Sequence, residues 1–329
     1  MGSSTSDKTA TRSASHAAVP PILTRSFSDP AELSESIPEM DGEYIQVSAG
    51  EFSGQVIRSQ LGEVTLHQTY TSPEVIGEMA LPRSALVLGT VIQRDGPLLV
   101  YGKPLEPREL FIPEGEFMRH GRGFAGAWIA LSRTQVEATV SALLGVDQIR
   151  LPGGFVVEHE ALARAYTATL AAHVKAMEKT PERFTDPSVR DAAEHALLSR
   201  AFDFLVAACE SERATEHTRF GKAEIVRRAS EYFDAFGHER MSLAELARAS
   251  GASARSLNYA FQDLFGVSPI RYFKLKRLGR ARSQLQQMSP KRGAVKRAAL
   301  SSGFTHLGRF SAEYHELFGE LPSMTLREP

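Results

Sequence analysis

The sequence predicts an α+β protein of two domains, strand-rich at the front and all-helical at the back. Three observations carry this. At 329 residues the chain exceeds the usual single domain. Short apolar or alternating runs, separated by Gly, Pro and Asp-Gly signals, fill residues 43–131. From Lys222 onward every segment carries helical periodicity, and the charge changes sign there: 18 basic and 10 acidic residues, against 20 and 29 in the rest. An acidic front and a basic back imply different partners for the two ends. A basic domain of this size points toward nucleic acid; a solvated lysine-rich face is the plain alternative.

Taken in order, residues 1–24 are rich in Ser, Thr and Ala without periodicity and are expected to be a disordered tail. They hold no apolar core of a signal peptide. No apolar run reaches the roughly 20 residues needed to span a bilayer, and the one cysteine, Cys209, cannot form an internal disulfide. No membrane association is therefore expected, and the cytoplasm is the expected location. The runs EYIQVS, GQVIRSQ, GEVTLHQT, SALVLGTVI, GPLLVYG, ELFIP and FAGAWIALS read as strands of a small barrel or sandwich. Ser132 then reads as an N-cap for a helix ending at Gly145. Residues 158–179 and 186–210 read as two helices, the first with Leu162, Ala165, Tyr166, Thr169, Leu170 and Val174 on one stripe. The second opens on Asp186-Pro187 and has Leu197, Leu198, Phe202, Leu205 and Val206 on its apolar face. The front domain thus spans 25–210, and polar residues 211–221 read as a linker to a domain over 222–329.

In that domain a first helix ends near Gly237. Ser242 and Glu245 form an S-x-x-E capping box for a second. Ser253 caps a third, which buries Leu257, Phe261, Leu264 and Phe265 and stops at Gly266. Ser268-Pro269 opens a long helix with Tyr272, Leu275, Leu278, Ala281 and Leu285 as its stripe. Helices over 291–301 and 306–318 follow.

This region repeats itself. Leu243, Ala247 and Gly251 match Val295, Ala299 and Gly303 at an offset of 52. Leu257, Phe261, Phe265, Gly266 and Pro269 match Phe310, Tyr314, Phe318, Gly319 and Pro322 at an offset of 53. Each copy is a short helix, a turn with Gly, and a second helix with an aromatic face. That is the helix-turn-helix plan, in which small alanines let the helices cross closely and the outer face of the second helix meets the major groove. An all-α bundle repeated for stability alone is the competing reading.

On these residues the back third resembles the DNA-binding domain of the AraC/XylS family of bacterial transcription regulators. LAELARASGASARSLNYAFQDLFGVSPIRYFKLKRLGRA and GFTHLGRFSAEYHELFGELPSMTLR carry the resemblance, with the family's pattern present as Gly303, Phe304, Phe310, Tyr314, Gly319, Pro322 and Arg327. Ala312 and His315 stand where the family often has basic residues. The resemblance implies a cupin-like β-barrel in front, a helical segment for homodimerisation, a small-molecule effector and RNA polymerase as a protein partner. No catalytic activity and no cofactor are expected.

Residues 271–297 hold ten Lys and Arg and no acid, and there is none between Asp263 and Glu313. Joining two DNA readers, the run is expected to lie unopposed along phosphates and displace condensed cations; Arg277, beside Leu278, resembles an inward-packed pair of the family. Of the first reader's outer face, Arg255 suits guanine, Asn258 suits adenine, and Tyr259 and Gln262 complete the surface. The second offers His306, Leu307, Arg309 and Ser311, with Gly308 allowing close backbone approach. Ser253 and Thr305, at helix starts, suit phosphate contacts.

The rival is a cupin-type small-molecule-binding or catalytic protein whose helical tail binds nucleic acid nonspecifically. Metal catalysis there calls for clustered His ligands, and His67, His120, His159, His173 and His195 form no H-x-H. His67 reads as a satisfied strand residue. In RHGRGF, Arg119, His120 and Arg122 beside two glycines are candidates for holding an anionic effector group, against a plain exposed hairpin turn. Trp128 is expected in the core or on the pocket wall.

Overall fold

The computed structural model describes residues 22–106, 109–156, 159–211, 220–236 and 241–326. Its front half is built of two sheets. One has seven strands in the order β1-β3-β4-β11-β6-β9-β12. They are β1 (Ile22–Phe27), β3 (Ser53–Leu61), β4 (Val64–Ser72), β11 (Phe124–Ser132), β6 (Ala85–Arg94), β9 (Leu110–Ile112) and β12 (Gly154–Val156). The other has five in the order β2-β5-β10-β7-β8: β2 (Asp41–Gln46), β5 (Val75–Ala80), β10 (Glu116–Gly121), β7 (Leu98–Val100) and β8 (Lys103–Pro104). The paired strands are antiparallel. Hydrogen bonding therefore falls into two sheets: of the barrel or sandwich that the strand pattern allows, the arrangement is the open two-sheet one, and the cupin-like barrel implied by the resemblance is not closed.

Alternation along the strands assigns the faces. Val56, Val87, Val91, Phe111 and Trp128 of the large sheet meet Tyr44, Val75, Met79, Leu98 and Phe117 of the small one in a shared core, closed at one end by helix α1 (Pro30–Glu35) through Leu33. The large sheet's outer face, with Leu66, Leu88 and Ile129, packs on α2 (Arg133–Leu144), α3 (Glu160–Lys179) and α4 (Pro187–Ser211). Gly145 ends α2 in the left-handed conformation as expected, and Asp186 accepts from the Ser188 amide at the start of α4. On α4 the buried stripe is Ala193, Leu197, Ala201, Phe204, Leu205 and Ala208, so Phe204 is core while Leu198, Phe202 and Val206 are half-buried.

The back half is helical: α5 (Phe220–Phe236), α6 (Leu243–Ala249), α7 (Ala254–Phe265), α8 (Pro269–Gln287), α9 (Ala294–Ser301), α10 (Leu307–Phe318) and α11 (Pro322–Thr325). Every residue expected on the inner faces of α7 and α8 is buried. This helical domain lies on the outer face of the small sheet. Ile45, Val47, Ile76 and Met118 share one core with Phe233, Phe265, Leu275 and Leu278.

Two boundaries shift. Residues 22–24 of the expected tail pair with Ser59, Arg58 and Ile57 as part of β1. The expected linker is shorter, because α4 reaches Ser211 and α5 starts at Phe220. Residues 1–21 of the tail, 212–219 of the linker, Gly237 and Arg327 lie outside the described residues.

Candidate nucleic-acid interface

The two helix pairs at the back share one turn, hydrogen bond for hydrogen bond. In the first, Gly251 donates to Arg248 O (3.1 Å) and Ala252 to Ala247 O (2.9 Å). In the second, Gly303 donates to Leu300 O (3.0 Å) and Phe304 to Ala299 O (2.9 Å). Gly251 and Gly303 have φ of 65° and 82°, a region costly for side chains with a Cβ. The buried alanines sit at the crossings, Ala247 at 6% exposure and Ala299 at 0%. The capping box is formed, with Ser242 Oγ accepting from Glu245 N (3.2 Å) and Glu245 Oε2 accepting from Ser242 N (2.8 Å).

Burial of Leu257, Phe261 and Phe265 turns the opposite face of α7 outward. Arg255, Tyr259 and Gln262 are exposed there, and Asn258 is half-buried. Arg255 Nη2 donates to the Tyr259 hydroxyl (3.0 Å), Asn258 Nδ2 to Ala254 O (2.9 Å) and Gln262 Nε2 to Gly266 O (3.1 Å). Each such surface bond is worth about 1 kcal/mol, little to exchange for a base edge. Ser253 caps α7, its Oγ accepting from Ser256 N (3.0 Å).

On the second pair, Phe310, Tyr314, Leu317 and Phe318 are buried. Thr305, His306, Leu307, Gly308 and Arg309 are exposed and Ser311 is half-buried. His306, not Thr305, occupies the N-cap of α10. Apart from its chain neighbours and the backbone of its own helix, no atom lies within 4 Å of a Cβ placed on Gly308, so it is open to approach. Arg309 Nε donates to Glu313 Oε1 (3.0 Å), which also holds Lys274 (3.2 Å), so an acid sits beside this exposed face of α10.

The cationic run is not unopposed. Lys276, 3% exposed at its side chain, is ion-paired with Glu43 and lies 3.1 Å from Glu78 Oε2. Arg280 pairs with Asp234, and Arg282 reaches Asp29 (3.3 Å) and Glu320 (3.2 Å). Arg277 stacks over Phe233, its guanidinium 5.7 Å from the ring centroid, which fits the inward-packed reading. The acids come from distant chain segments, three of them in the front domain, which a count of neighbours in sequence does not see. Arg271, Lys291, Arg292, Lys296 and Arg297 are the run's solvent-facing cations, four of them around the start of α9. Sequence reasoning missed Lys276 as an interface residue, although its place four after Tyr272 put it on the apolar stripe.

The four front-domain candidates do not form one cluster, and residues 119–121 are strand, not turn. Arg119 and His120 are neighbours in β10 and so point to opposite faces. Arg119 lies between the sheets, its guanidinium 4.9 Å from the Tyr44 ring and 5.2 Å from Phe124. His120 faces the helical domain with Nε2 2.8 Å from Glu74 Oε1. Arg122 is exposed in the β10–β11 turn. Trp128 is buried, stacked at 3.8 Å and 5° on His67. His67 in turn lies 3.3 Å from Glu39, whose other partner is Arg58 at 2.6 Å. Burial alone would raise the Glu39 pKa; His67 and Arg58 overcome it and hold it at about 2. Burial lowers the pKa of His67, against the opposing pull of Glu39.

Residues 246–328 match a family model described as a helix-turn-helix domain. A probable thc operon regulatory protein of Rhodococcus erythropolis is 40% identical over 103 residues, 31% of this chain and 31% of that protein. The XylDLEGF operon transcriptional activator of Pseudomonas putida is 40% identical over 88 residues, 27% of each. The match thus spans less than a third of the length of these curated relatives. A solved structure of a probable AraC family transcriptional regulator from Rhodopseudomonas palustris is 34% identical over 31% of this chain and 94% of that chain, with a TM-score of 0.28.

Proposed function

We infer that this chain, whose residues 246–328 are a DNA-binding domain of the AraC/XylS type, is a sequence-specific transcriptional regulator answering to a small molecule held by its front domain. The observation that carries the reading is the pair of matched turns at Gly251 and Gly303, each offering a polar helix face above an aromatic core. In this reading α6–α7 and α9–α10 are two helix-turn-helix readers. Arg255, Asn258, Tyr259 and Gln262 read bases in one groove, and His306, Leu307, Gly308, Arg309 and Ser311 meet the next. Ser253 and Thr305 meet phosphate, as do Arg271 and the exposed cations of 291–297.

The two facing sheets act as a cupin-like effector module, with α3 and α4 available as a homodimer face, and the protein works in the cytoplasm alongside RNA polymerase. Helix α8 joins the two readers and also carries Lys276 and Arg282 to the front domain. A shift of β2 or β5 on effector binding would therefore act on the joint that sets the spacing between readers.

Recovery and sequencing of genomic fragments bound by the purified chain, followed by footprinting, tests this. The expected footprint covers two successive major grooves about 34 Å apart on one face of the duplex. Protection of a single groove would remove the second reader. Steep salt dependence with no sequence preference would favour a cupin-type binding or catalytic protein with a nonspecific tail.

A further inference from the structure

We propose that Glu313 is a positioning residue for base reading: it holds the Arg309 guanidinium end-on for a guanine in the groove met by α10. The inference rests on the reading of α9–α10 as a DNA-binding pair, and it names the base and the side chain that fixes its contact.

The repeat marks Glu313 as out of place. At the offset of 53 that aligns Phe261 with Tyr314, Glu313 falls on Ala260. Ala260 is fully buried in the core of the first pair. A carboxylate at such a position is costly unless cations hold it. Two do, and on one oxygen. Oε1 accepts from Arg309 Nε (3.0 Å), one turn earlier on the same helix, and from Lys274 Nζ (3.2 Å) on α8. The Glu313 side chain is 15% exposed and that of Arg309 76%. The acid thus sits at the foot of the arginine, and the guanidinium stands out in solvent.

Which nitrogen is held matters. With Nε taken by Glu313, nothing among the described residues binds either Nη of Arg309. Those two groups together can meet guanine O6 and N7. Arg255, on the first pair, differs. Its Nε and Nη2 both donate to the Tyr259 hydroxyl (3.3 and 3.0 Å), so it must leave that bond to present the same edge. An exposed arginine has rotamer freedom that a base contact must freeze. The bond to Glu313, four residues on, removes part of that freedom beforehand. The acid also repels phosphate oxygens, which turns Arg309 toward bases and away from the backbone of the duplex. A pair with so exposed an arginine adds little to stability, so its variants are expected to fold.

The full-length protein selects duplexes from a random-sequence pool, and affinities are measured with each base pair of the selected site replaced in turn. Wild type is expected to prefer one guanine in the α10 groove by about tenfold or more. Arg309→Ala and Glu313→Gln should each remove most of that preference, and the double variant should lose no more of it than Arg309→Ala alone. Lys274→Met cuts the tie to α8 and leaves the Arg309 bond. It should keep the preference while weakening every duplex alike. A selected site without a guanine preference under α10, or Glu313→Gln with the preference intact, overturns the proposal. Equal loss in Lys274→Met also overturns it, by making Glu313 a tie between helices. Survival of the preference in Arg309→Ala does the same, by making another side chain the reader. A wild type that selects no sequence sinks the regulator reading too. One that selects a site, with Glu313→Gln discriminating as wild type does, leaves that reading standing and removes only the role of Glu313.

Discussion

Lys276 Nζ, on the helix joining the two helix pairs, lies 3.1 Å from Oε2 of Glu78 on the small sheet and also pairs with Glu43. Burial would drain its charge, but Glu78, Glu43 and Asp234 more than restore it and hold the ammonium charged beyond its ordinary range. The most buried cation of the basic run is thus spent on the front domain and not on phosphate.

Lys276→Met should be costly. It leaves Glu43 and Glu78 facing each other at an apolar interface without their cation, a loss of about 3 kcal/mol by the usual scale for breaking a buried pair. The double variant Lys276→Met, Glu78→Gln should recover part of it. Urea unfolding of the three proteins checks this; equal stability of Lys276→Met and wild type would place the pair outside the folded core.

The basic run should divide by salt dependence. Replacing Lys296 and Arg297 with Ala is expected to weaken binding to every DNA sequence alike and to reduce the slope of log affinity against log salt by about one per residue. Gln at Arg282, which is held by Asp29 and Glu320, should leave that slope unchanged. Affinities measured across a salt series decide between the two groups.

Arg255→Ala should cost about 1–3 kcal/mol of operator affinity and relax one base position. Competition among single-base operator variants measures it. Equal loss on all variants would make Arg255 a phosphate contact.

Stability should fall in acid from near neutrality. The folded pKa of His67 lies below its ordinary value because the ring is buried, so the unfolded chain binds the proton first. The contribution is complete above about pH 6.5, the ordinary histidine value. It declines as pH drops toward the lowered folded pKa. His120 is lowered by burial too, with Glu74 opposing, and adds to the same limb. Glu39, held at about 2, adds a second loss between the ordinary carboxylate range and pH 2. His67→Gln should flatten the first limb and leave His120's share, as read by urea midpoints from pH 7.5 to 4.5.

The helical half was legible because its signals are local. The 3.6-residue stripe of Leu257, Phe261 and Phe265, the Ser242–Glu245 cap and the glycine turns each lie within a few residues of their partners, and each formed. Strands with clear alternation, such as 124–132, were legible for the same reason. β1, β5, β8, β10 and β12 fall outside the runs legible as strands, and the loss of β10 is what makes Arg119 and His120 look like one turn when alternation sends them to opposite faces.

The sequence by itself determined the order of strands before helices, the repeated helix pairs and which face of each pair's second helix is apolar. Only the tertiary structure decided which cations of 271–297 are free, because that depends on Asp29, Glu43 and Glu78, more than 190 residues away along the chain. It alone also decided that, among the described residues, no acid pairs with Arg119 between the sheets. Electrostatic partnership falls off with distance in space, and the fold, not the spacing of residues, sets that distance.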